Sequence, residues 1–377
     1  MINRALFNIV INSIAPGKVV VVLGARRTGK TVLLKKISEE VKEPFLFLNG
    51  EDLNTIILMA RRTVNNYKAL LGNTKFLFID EAQKIPDIGL KLKLMVDEIS
   101  DIKIIVTGSA TFDILGNIGE PLTGRKTTLK LFPLSEKELF GLEPPKGQKD
   151  NLLQRLVYGN YPEIYLLKNE NENEKGLYLK ELINSYLVKD ILSINNVKNS
   201  GKIINLLRLL AFRIGSEVSL NELASQVHIS RNTVEKYLDL LTKVFVLFKL
   251  DGFRRNLRKE ISKSSKWYFY DNGIRNALIA NFNGLSLRND LGLLWENYII
   301  SERMKYQEYN RMIVNNYFWR TYDQQEINLI EEREGKLFAY EMKWNIVSSK
   351  APAAWKKTYP DSEYKVISQQ NYLDWLL

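Results

Sequence analysis

The stretch KVVVVLGARRTGKTVLLKKISEEV, residues 18–41, decides the fold of the first part of this chain. It begins with a β-branched apolar run, passes through a turn that contains two glycines, and continues with apolar residues at helical spacing. Residues 24–31 fit the pattern G-x-x-x-x-G-K-[ST] at the junction between the predicted strand and the predicted helix. The stretch therefore predicts a loop that binds the phosphates of a nucleotide.

Each residue type in this loop has a physical reason. Gly24 and Gly29 let the backbone curl, so that successive N–H groups point at phosphate oxygens beside the positive end of the helix. Lys30 is expected to neutralise the β and γ phosphates, and the hydroxyl of Thr31 is expected to bind Mg²⁺. The residues predicted to contact the nucleotide are Gly24, Ala25, Arg26, Arg27, Thr28, Gly29, Lys30, Thr31 and Val32.

A second segment, FLFIDEAQKIP at residues 76–86, reads as a buried strand that ends in two carboxylates. Asp80 is expected to hold Mg²⁺, and Glu81 to polarise the water that attacks the γ phosphate. The alternative is a strand capped by acidic turn residues. Strand-like runs also occur at residues 44–50 and 101–110, and their alternation with helices predicts an α/β fold with a doubly wound parallel sheet.

Four segments in this order, GARRTGKT (24–31), FLFIDEAQKIP (76–86), IIVTGSA (104–110) and LTGRKTTLKLFPLS (122–135), resemble the ATPase core of a prokaryotic family of AAA-type P-loop proteins. The resemblance implies ATP and Mg²⁺ as cofactors. It also implies a polar sensor, Thr107 or Ser109, on the strand between the two strands that carry the nucleotide motifs. The catalytic set that it implies is Lys30, Glu81, Ser109 and Arg125.

In this resemblance Arg125 is a candidate arginine finger, acting either in cis or in trans. Action in trans would imply a dimer or a ring. An arginine that follows a glycine in a basic turn is equally explained as a solvated charge.

The bulk composition limits the function classes. A chain of 377 residues suggests two to four domains, and 54 Lys and Arg against 43 Asp and Glu give a net charge of +11, which favours polyanionic partners unless the charge only keeps the surface soluble. The chain contains no cysteine, which excludes disulfides and thiolate metal sites. Because no apolar run is long enough to span a membrane, we expect a cytoplasmic protein with no membrane contact.

The chain divides into four predicted domains. Residues 1–140 form the ATPase core, and residues 141–205 form a helical lid or connector that begins at the Pro- and Gly-rich segment 141–151. A plain packing role for these helices is an equal alternative. Residues 206–280 form a winged helix-turn-helix, and residues 281–377 form a small α/β domain.

The winged helix is predicted from residues 219–244, which divide into two helices with Val234, Leu238 and Leu241 on one side of the second. Residues 249–266 follow as a predicted wing, with seven basic residues against two acidic ones. The predicted DNA contacts are Ser230, Arg231, Asn232, Lys236, Arg254, Arg255, Arg258 and Lys259. Protein docking and simple solvation of the charged loop remain alternatives. His228, the single histidine, is expected at the surface without chemistry.

The last domain resembles the restriction-endonuclease-like fold, with strands at residues 315–332 and 337–345 around a turn at 333–336. That fold brings an acidic residue on one strand and an E-x-K motif on the next to a magnesium ion. The residues that match are Glu326, Asn328, Glu341 and Lys343, with Glu296 as a third carboxylate.

Two features of this match leave the cutting activity open. Asn328 stands where the fold usually has Asp, although Glu326, two residues away on one strand face, is a substitute. E-x-K also occurs at residues 40–42, 334–336 and 363–365, so only its context singles out residues 341–343. The domain is an active nuclease, a degenerate one that still binds or braces a partner, or a domain with no more than similarity of fold.

The combined prediction is a Mg²⁺-dependent ATPase whose nucleotide state switches a C-terminal winged-helix and nuclease-like module on DNA. Two alternatives remain. One is an ATP-dependent signalling or scaffold switch that binds a protein partner, and the other is an ATP-regulated nuclease.

Overall fold

The computed structural model describes residues 2–109, 121–143, 148–167, 172–187, 200–254, 264–346 and 348–377. These residues form two compact units. The first contains the described residues up to Phe132 together with Lys243–Phe245, and the second contains the remaining described residues.

The first unit alternates strands and helices. Its strands are β1 (Val19–Gly24), β2 (Phe45–Asn49), β3 (Phe76–Asp80), β4 (Lys103–Ser109) and β5 (Lys126–Lys130). Its α-helices are α1 (Leu6–Ser13), α2 (Lys30–Glu40), α3 (Leu53–Leu58), α4 (Val64–Leu71) and α5 (Ile88–Glu98), and a 3₁₀ turn spans Ala82–Lys84.

The five strands form one parallel sheet in the order β2-β3-β4-β1-β5. All residues of β1 and β3 are buried, as the continuous apolar runs predicted. The predicted doubly wound parallel sheet is confirmed for this unit. Because β4 lies between β1 and β3, the carboxyl ends of these three strands meet at one edge of the sheet.

The second unit begins with a series of helices. These are α6 (Glu136–Phe140), α7 (Gln148–Tyr158), α8 (Pro162–Leu166), α9 (Glu172–Glu181) with a π-helical extension at Leu182–Leu187, and α10 (Ser200–Phe212). There follow β6 (Glu217–Ser219), α11 (Leu220–Val227), α12 (Arg231–Lys243), β7 (Leu247–Gly252), β8 (Ser264–Phe269) and α13 (Asn272–Leu278).

The C-terminal part has the element order αβββαβα. It contains a 3₁₀ turn at Leu285–Leu287, then α14 (Leu291–Tyr309), β9 (Asn315–Arg320), β10 (Glu326–Arg333), β11 (Lys336–Met342), α15 (Ala353–Thr358), β12 (Glu363–Ile367) and α16 (Tyr372–Leu376). The predicted turn between β10 and β11 is present. Glu334 and Gly335 both have positive φ, 53° and 71°, as a tight hairpin requires.

One seven-stranded sheet runs through the second unit in the order β12-β11-β10-β9-β7-β8-β6. The link between its two halves is the parallel pairing of β7 with β9, in which Asp251 lies opposite Tyr317 and Gly252 opposite Phe318. The predicted boundary at residue 280 therefore does not separate two sheets.

The helices predicted as a lid or connector pack within the second unit. Leu152 and Leu156 of α7 lie in the same buried cluster as Trp295 and Tyr298 of α14. Arg155, also on α7, donates a hydrogen bond to the Tyr298 hydroxyl at 3.1 Å. Of the two alternatives, these contacts correspond to the packing role.

Among the helices in the described ranges, none combines the length and the apolar character needed to cross a membrane.

Candidate nucleotide-binding site

The predicted phosphate-binding loop lies between β1 and α2. A Cβ atom at Gly24 would lie 2.3 Å from the carbonyl oxygen of Leu131, so only glycine fits where β1 ends. Arg27 and Gly29 have φ of 63° and 94°, and these left-handed residues curl the chain before α2 begins at Lys30. The sequence thus folds locally into the open turn that an anion needs.

The Lys30 side chain is buried and lies inside this loop. Its ammonium donates hydrogen bonds to the carbonyl oxygens of Gly24 at 3.0 Å and Ala25 at 2.9 Å. The Thr28 hydroxyl donates to the Ala25 carbonyl at 2.8 Å, which closes the turn from the other side. The ammonium is therefore held at the centre of the loop, where a bound phosphate would replace the two carbonyl groups as its hydrogen-bond partner.

Arg4 is a loop-supporting residue that the sequence did not reveal. Its buried guanidinium donates one hydrogen bond to the Thr28 carbonyl and another, 2.6 Å long, to the Phe132 carbonyl. It thereby links the loop to the chain that leaves β5. The one available signal was a lone arginine before the apolar helix α1.

The two predicted carboxylates follow each other at the end of β3. Asp80 is buried, and its Oδ1 accepts a hydrogen bond from the Thr107 hydroxyl on β4. The same hydroxyl oxygen accepts the Glu81 N–H at 3.2 Å, and Glu81 itself has a left-handed φ of 49°. Thr107 therefore contacts both residues of the acidic pair.

Two further residues shape this acidic turn. Gly50 donates its N–H to the Asp80 carbonyl at 2.8 Å, and a Cβ at position 50 would lie 2.3 Å from the Glu81 carbonyl oxygen. Gln83 donates to Glu81 Oε2 at 2.5 Å. The Glu81 carboxylate is half-buried and held by a local contact.

Ser109 is the alternative polar sensor. It is buried and lies opposite Gly24 in the register of β1 with β4, so it adjoins the start of the loop. The predicted position of its strand, between β1 and β3, is confirmed. Of the other predicted contacts, Thr31 is half-buried while Arg27 and Val32 are exposed.

Arg125 lies at the opposite end of the sheet. Its carbonyl accepts the N–H of Val19, the first residue of β1, whereas the loop follows the last residue of β1, roughly 17 Å away at the usual rise of a strand. The Arg125 guanidinium pairs with Asp97 at 2.5 Å. Arg125 therefore does not adjoin this loop, which argues against a role in cis, while a role in trans and a plain solvated charge both stay predictions.

The residues of the edge fit a Mg²⁺-bound nucleotide. The loop supplies a left-handed turn, a central ammonium and the start of a helix, while Thr31 and Asp80 are the oxygen donors that Mg²⁺ prefers. Thr31 lies in the first turn of α2 and Asp80 at the end of β3, so both donors lie at the same edge of the sheet.

The predicted DNA contacts lie in the second unit. Ser230, Arg231, Asn232 and Lys236 are all exposed at the start of α12, as expected, and Val234, Leu238 and Leu241 are buried on the other side. The Ser230 hydroxyl accepts the Thr233 N–H at 3.2 Å, so it caps the helix. Exposed Arg254 is described, whereas Arg255, Arg258 and Lys259 lie outside the described residues.

Two of the basic residues counted in the predicted wing have other roles. Lys249 pairs with Asp251 at 3.1 Å. Lys266 is 2% exposed and pairs with Glu326, while its Nζ lies 3.7 Å from Glu296 Oε1. His228 is exposed and ends α11 with a left-handed φ of 54°.

The nuclease-like residues are only partly brought together. Glu296 on α14 and Glu326 on β10 meet at Lys266, and the Tyr268 hydroxyl donates to Glu296 Oε1 at 2.7 Å. Glu341 instead pairs with Lys343 at 2.8 Å. Within the described ranges, no three His, Cys, Asp or Glu side chains are grouped so that they could hold a metal ion.

The Asn328 side chain has a partner on the neighbouring strand. Its Oδ1 accepts the Met342 N–H at 2.8 Å, so this oxygen is used by β11. The register of β10 with β9 also shifts between Ile327 and Ile330, which marks a β-bulge next to this residue. The substitution of Glu326 for Asn328 at a metal stays a prediction.

Burial raises the pKa of Glu341, although Lys343 opposes the shift and Glu296 and Glu326 add to it. Its Oε2 is buried and has no hydrogen-bond partner among the described residues. This carboxylate is thus poorly compensated in its charged form.

Comparison with known proteins supports the assignment of the first unit. A family model described as an AAA domain matches residues 16–140. Two models described only as domains of unknown function match residues 149–286 and 291–372. Together with the sheet order and the loop, the match identifies an AAA-type P-loop ATPase domain.

Similar curated proteins are themselves uncharacterized. One from Mycobacterium bovis is 26% identical over 329 residues, which cover 86% of this chain and 70% of that protein. Another, from Methanocaldococcus jannaschii, is 28% identical over 306 residues, covering 76% of this chain and 66% of that protein. Their descriptions state no activity that could be compared with this chain.

Solved structures match at the level of distant similarity. The Thermotoga maritima RuvB Holliday junction branch migration motor is 19% identical with a TM-score of 0.30, covering 62% of this chain and 82% of that one. A STAND signal transduction ATPase with a tetratricopeptide repeat sensor from Pyrococcus horikoshii is 14% identical with a TM-score of 0.31. The match covers 82% of this chain and 47% of that one.

Proposed function

We propose that this protein is a Mg²⁺-dependent ATPase whose nucleotide state controls DNA binding by its second unit. The observation that carries the ATPase part is the meeting of three groups at one sheet edge. The Lys30 ammonium lies inside the loop after β1. Asp80 is the last residue of β3, Thr107 lies near the end of the adjacent strand β4, and their side chains are hydrogen-bonded.

The roles of the chain's own residues follow from this arrangement. The loop N–H groups and Lys30 bind the phosphates of ATP, while Thr31 and Asp80 would hold Mg²⁺, which neutralises charge on the β and γ phosphates. Glu81 orients a water toward the γ phosphorus and accepts its proton as the bond to the β-γ bridging oxygen breaks. Thr107 fixes the turn that carries both carboxylates.

Two substitutions separate binding from hydrolysis. Lys30→Ala removes the central charge and is expected to abolish both ATP binding and phosphate release. Glu81→Gln keeps the loop and is expected to bind ATP with little change while it loses hydrolysis. Lys18→Ala, an exposed lysine just before β1, is the matched control. ATPase activity that survives in both test variants would contradict the assignment.

The DNA part rests on the second unit. The element order α10, β6, α11, α12, β7, β8 and the strand order β7-β8-β6 support the proposal of a winged helix. The first turn of α12 exposes Arg231 and Asn232, with Lys236 one turn further on. These side chains suit phosphates and base edges, and the N-terminal end of such a helix is the part that enters a groove.

Salt dependence and substitution test this proposal. Arg231→Ala and Arg254→Ala should each weaken binding to a DNA duplex and reduce the slope of log affinity against log salt by about one. The triple variant with Arg254, Arg255 and Arg258 all changed to Ala should weaken it further. Lys249→Ala is the matched control, because Lys249 already pairs with Asp251.

One observation favours a second candidate, a protein partner for the same helix. Glu235 and Asp239 are also exposed on α12, next to the basic residues. A mixed-charge helix face suits a protein surface better than a phosphate backbone. Absence of DNA affinity at low salt, together with a saturable protein partner that Glu235→Lys disrupts, would favour this candidate.

Coupling between nucleotide and second unit is tested by limited proteolysis of segment 141–151. A non-hydrolysable ATP analogue should change the cleavage rate there, and an unchanged rate would argue against coupling.

A further inference from the structure

The side chains around Lys266 form an unusual arrangement of buried charge. Lys266 is 2% exposed and lies between two carboxylates from different elements, Glu296 on α14 and Glu326 on β10. Lysine is almost never buried without a charged partner. The sequence pattern assigns Lys266 to the predicted basic wing, whereas in the structure its ammonium is buried.

The three groups are held by rigid elements. Lys266 lies on β8, which pairs on one side with β6 through Glu217 and on the other with β7 through Leu250. The Glu296 carboxylate is fixed by the Tyr268 hydroxyl at 2.7 Å. The ammonium also lies 5.4 Å from the centre of the Phe318 ring, a further favourable contact for a cation.

Each carboxylate near Lys266 already has a cationic partner. Glu326 contacts Lys266, and its Oε2 lies 3.6 Å from Arg320 Nε. Two more carboxylates are close by: Glu217 pairs with Arg320 at 3.3 Å, and Glu341, whose pKa is raised in part by Glu296 and Glu326, pairs with Lys343 at 2.8 Å. A divalent ion bound to Glu296 and Glu326 would have to displace the Lys266 ammonium from between them.

We propose that the Lys266 ammonium is a built-in cation, standing between Glu296 and Glu326 in the place where two such carboxylates would otherwise bind a divalent metal. The group formed by Lys266, Glu296 and Glu326 is thereby stable without a metal ion and does not bind one. Asn328→Asp alone does not restore a metal site, because Lys266 keeps its carboxylates occupied. This inference is independent of the proposed nucleotide site.

Metal rescue tests the proposal. The melting temperature of the full chain is measured without nucleotide, in EDTA and in MnCl₂, for wild type and Lys266→Met. Wild type should melt at the same temperature in both. Lys266→Met leaves the buried Glu296 without its cation and Glu326 with Arg320 alone, and should melt roughly 10 °C lower in EDTA. Mn²⁺ should recover most of that loss.

A second buried lysine supplies the matched control. Lys305 is 1% exposed and pairs with Glu302 at 2.6 Å, so Lys305→Met should also lower the melting temperature. Because Glu302 also accepts hydrogen bonds from Asn160 and the Glu136 N–H, Mn²⁺ should not rescue this variant. Absence of rescue in Lys266→Met, or equal rescue in Lys305→Met or wild type, overturns the proposal.

A further measurement requires no folded Lys266 variant. Mn²⁺ is titrated into nucleotide-free wild type, and bound ion is followed by electron paramagnetic resonance. No binding that depends on Glu326 is expected. A bound Mn²⁺ signal that Glu326→Gln removes would show that the wild-type carboxylates already take metal, which overturns the proposal.

Discussion

Thr107 on β4 donates its hydroxyl hydrogen to Asp80 at the end of β3, and its oxygen accepts the N–H of Glu81. One hydroxyl thus orients both residues of the acidic pair across neighbouring strands. We therefore propose Thr107 as the polar sensor, whereas Ser109 lies beside the start of the phosphate-binding loop.

Thr107→Val keeps the shape of the side chain and removes its hydrogen bonds. We expect kcat for ATP hydrolysis to fall about tenfold to a hundredfold, because one charge-assisted hydrogen bond is lost, while ATP affinity changes little. Phosphate release and nucleotide titration measure the two quantities. Ser109→Ala is the comparison, and a larger kcat loss there would assign the sensor role to Ser109.

Arg4→Ala should loosen the phosphate-binding loop, because two carbonyl groups lose their buried donor. We expect the Kd for ATP to rise about tenfold, together with faster hydrogen exchange in the loop amides. Lys36→Ala is the control, since Lys36 is a half-buried side chain that bonds Asn3 of the same N-terminal segment at 2.5 Å and lies over the Phe7 ring. Equal effects of both variants would assign Arg4 to general N-terminal packing.

Glu341 gives a pH dependence whose sign follows from burial. Its folded pKa is raised above 4.5, so the native state retains this proton longer than the unfolded state does. The contribution of Glu341 to the free energy of unfolding therefore decreases as pH rises through the window above 4.5, and then stays constant.

Glu341→Gln should remove that slope. Relative to wild type, its stability should improve as the pH rises from about 5 to about 8. Chemical denaturation at both pH values measures it. Glu331→Gln is the contrast, because Glu331 is fully buried and bound by Arg303, Gln307 and Arg333, and this variant should lose about 3 kcal/mol at neutral pH. A constant difference between Glu341→Gln and wild type across pH would contradict the account.

Arg125→Ala tests the remaining role in trans. A dilute sample without self-association should keep wild-type ATPase activity, because Arg125 lies at the far end of the sheet and pairs with Asp97. Activity that rises with protein concentration in wild type, and not in Arg125→Ala, would support a finger in trans. Loss of activity at every concentration would contradict its placement.

Local patterns were sufficient to predict the strand ends of the first unit. The continuous apolar runs of β1, β3 and β4 and the glycines of the loop are short-range signals, and each appears where expected. The position of Arg125 was not readable in this way. It depends on the parallel register of β5 with β1, which puts residue 126 opposite residue 19 and not beside the loop.

Long-range contacts explain the other differences. Arg4 reaches carbonyls 24 and 128 residues away, and Lys266 reaches Glu326 across 60 residues, so neither partner is visible locally. The bulge next to Asn328 arises from pairing with β9 and leaves no clear mark in the spacing of β10. The parallel pairing of β7 with β9 likewise joins segments that sequence patterns treat as separate domains.

The most direct test of the central claim is the affinity of the Glu81→Gln variant for a DNA duplex, measured with Mg²⁺-ATP and with Mg²⁺-ADP. This variant should hold ATP without hydrolysing it. The account predicts that the two affinities differ by about tenfold or more, and that Arg231→Ala weakens both. Equal affinities in the two nucleotide states, or no DNA binding in either, would contradict it.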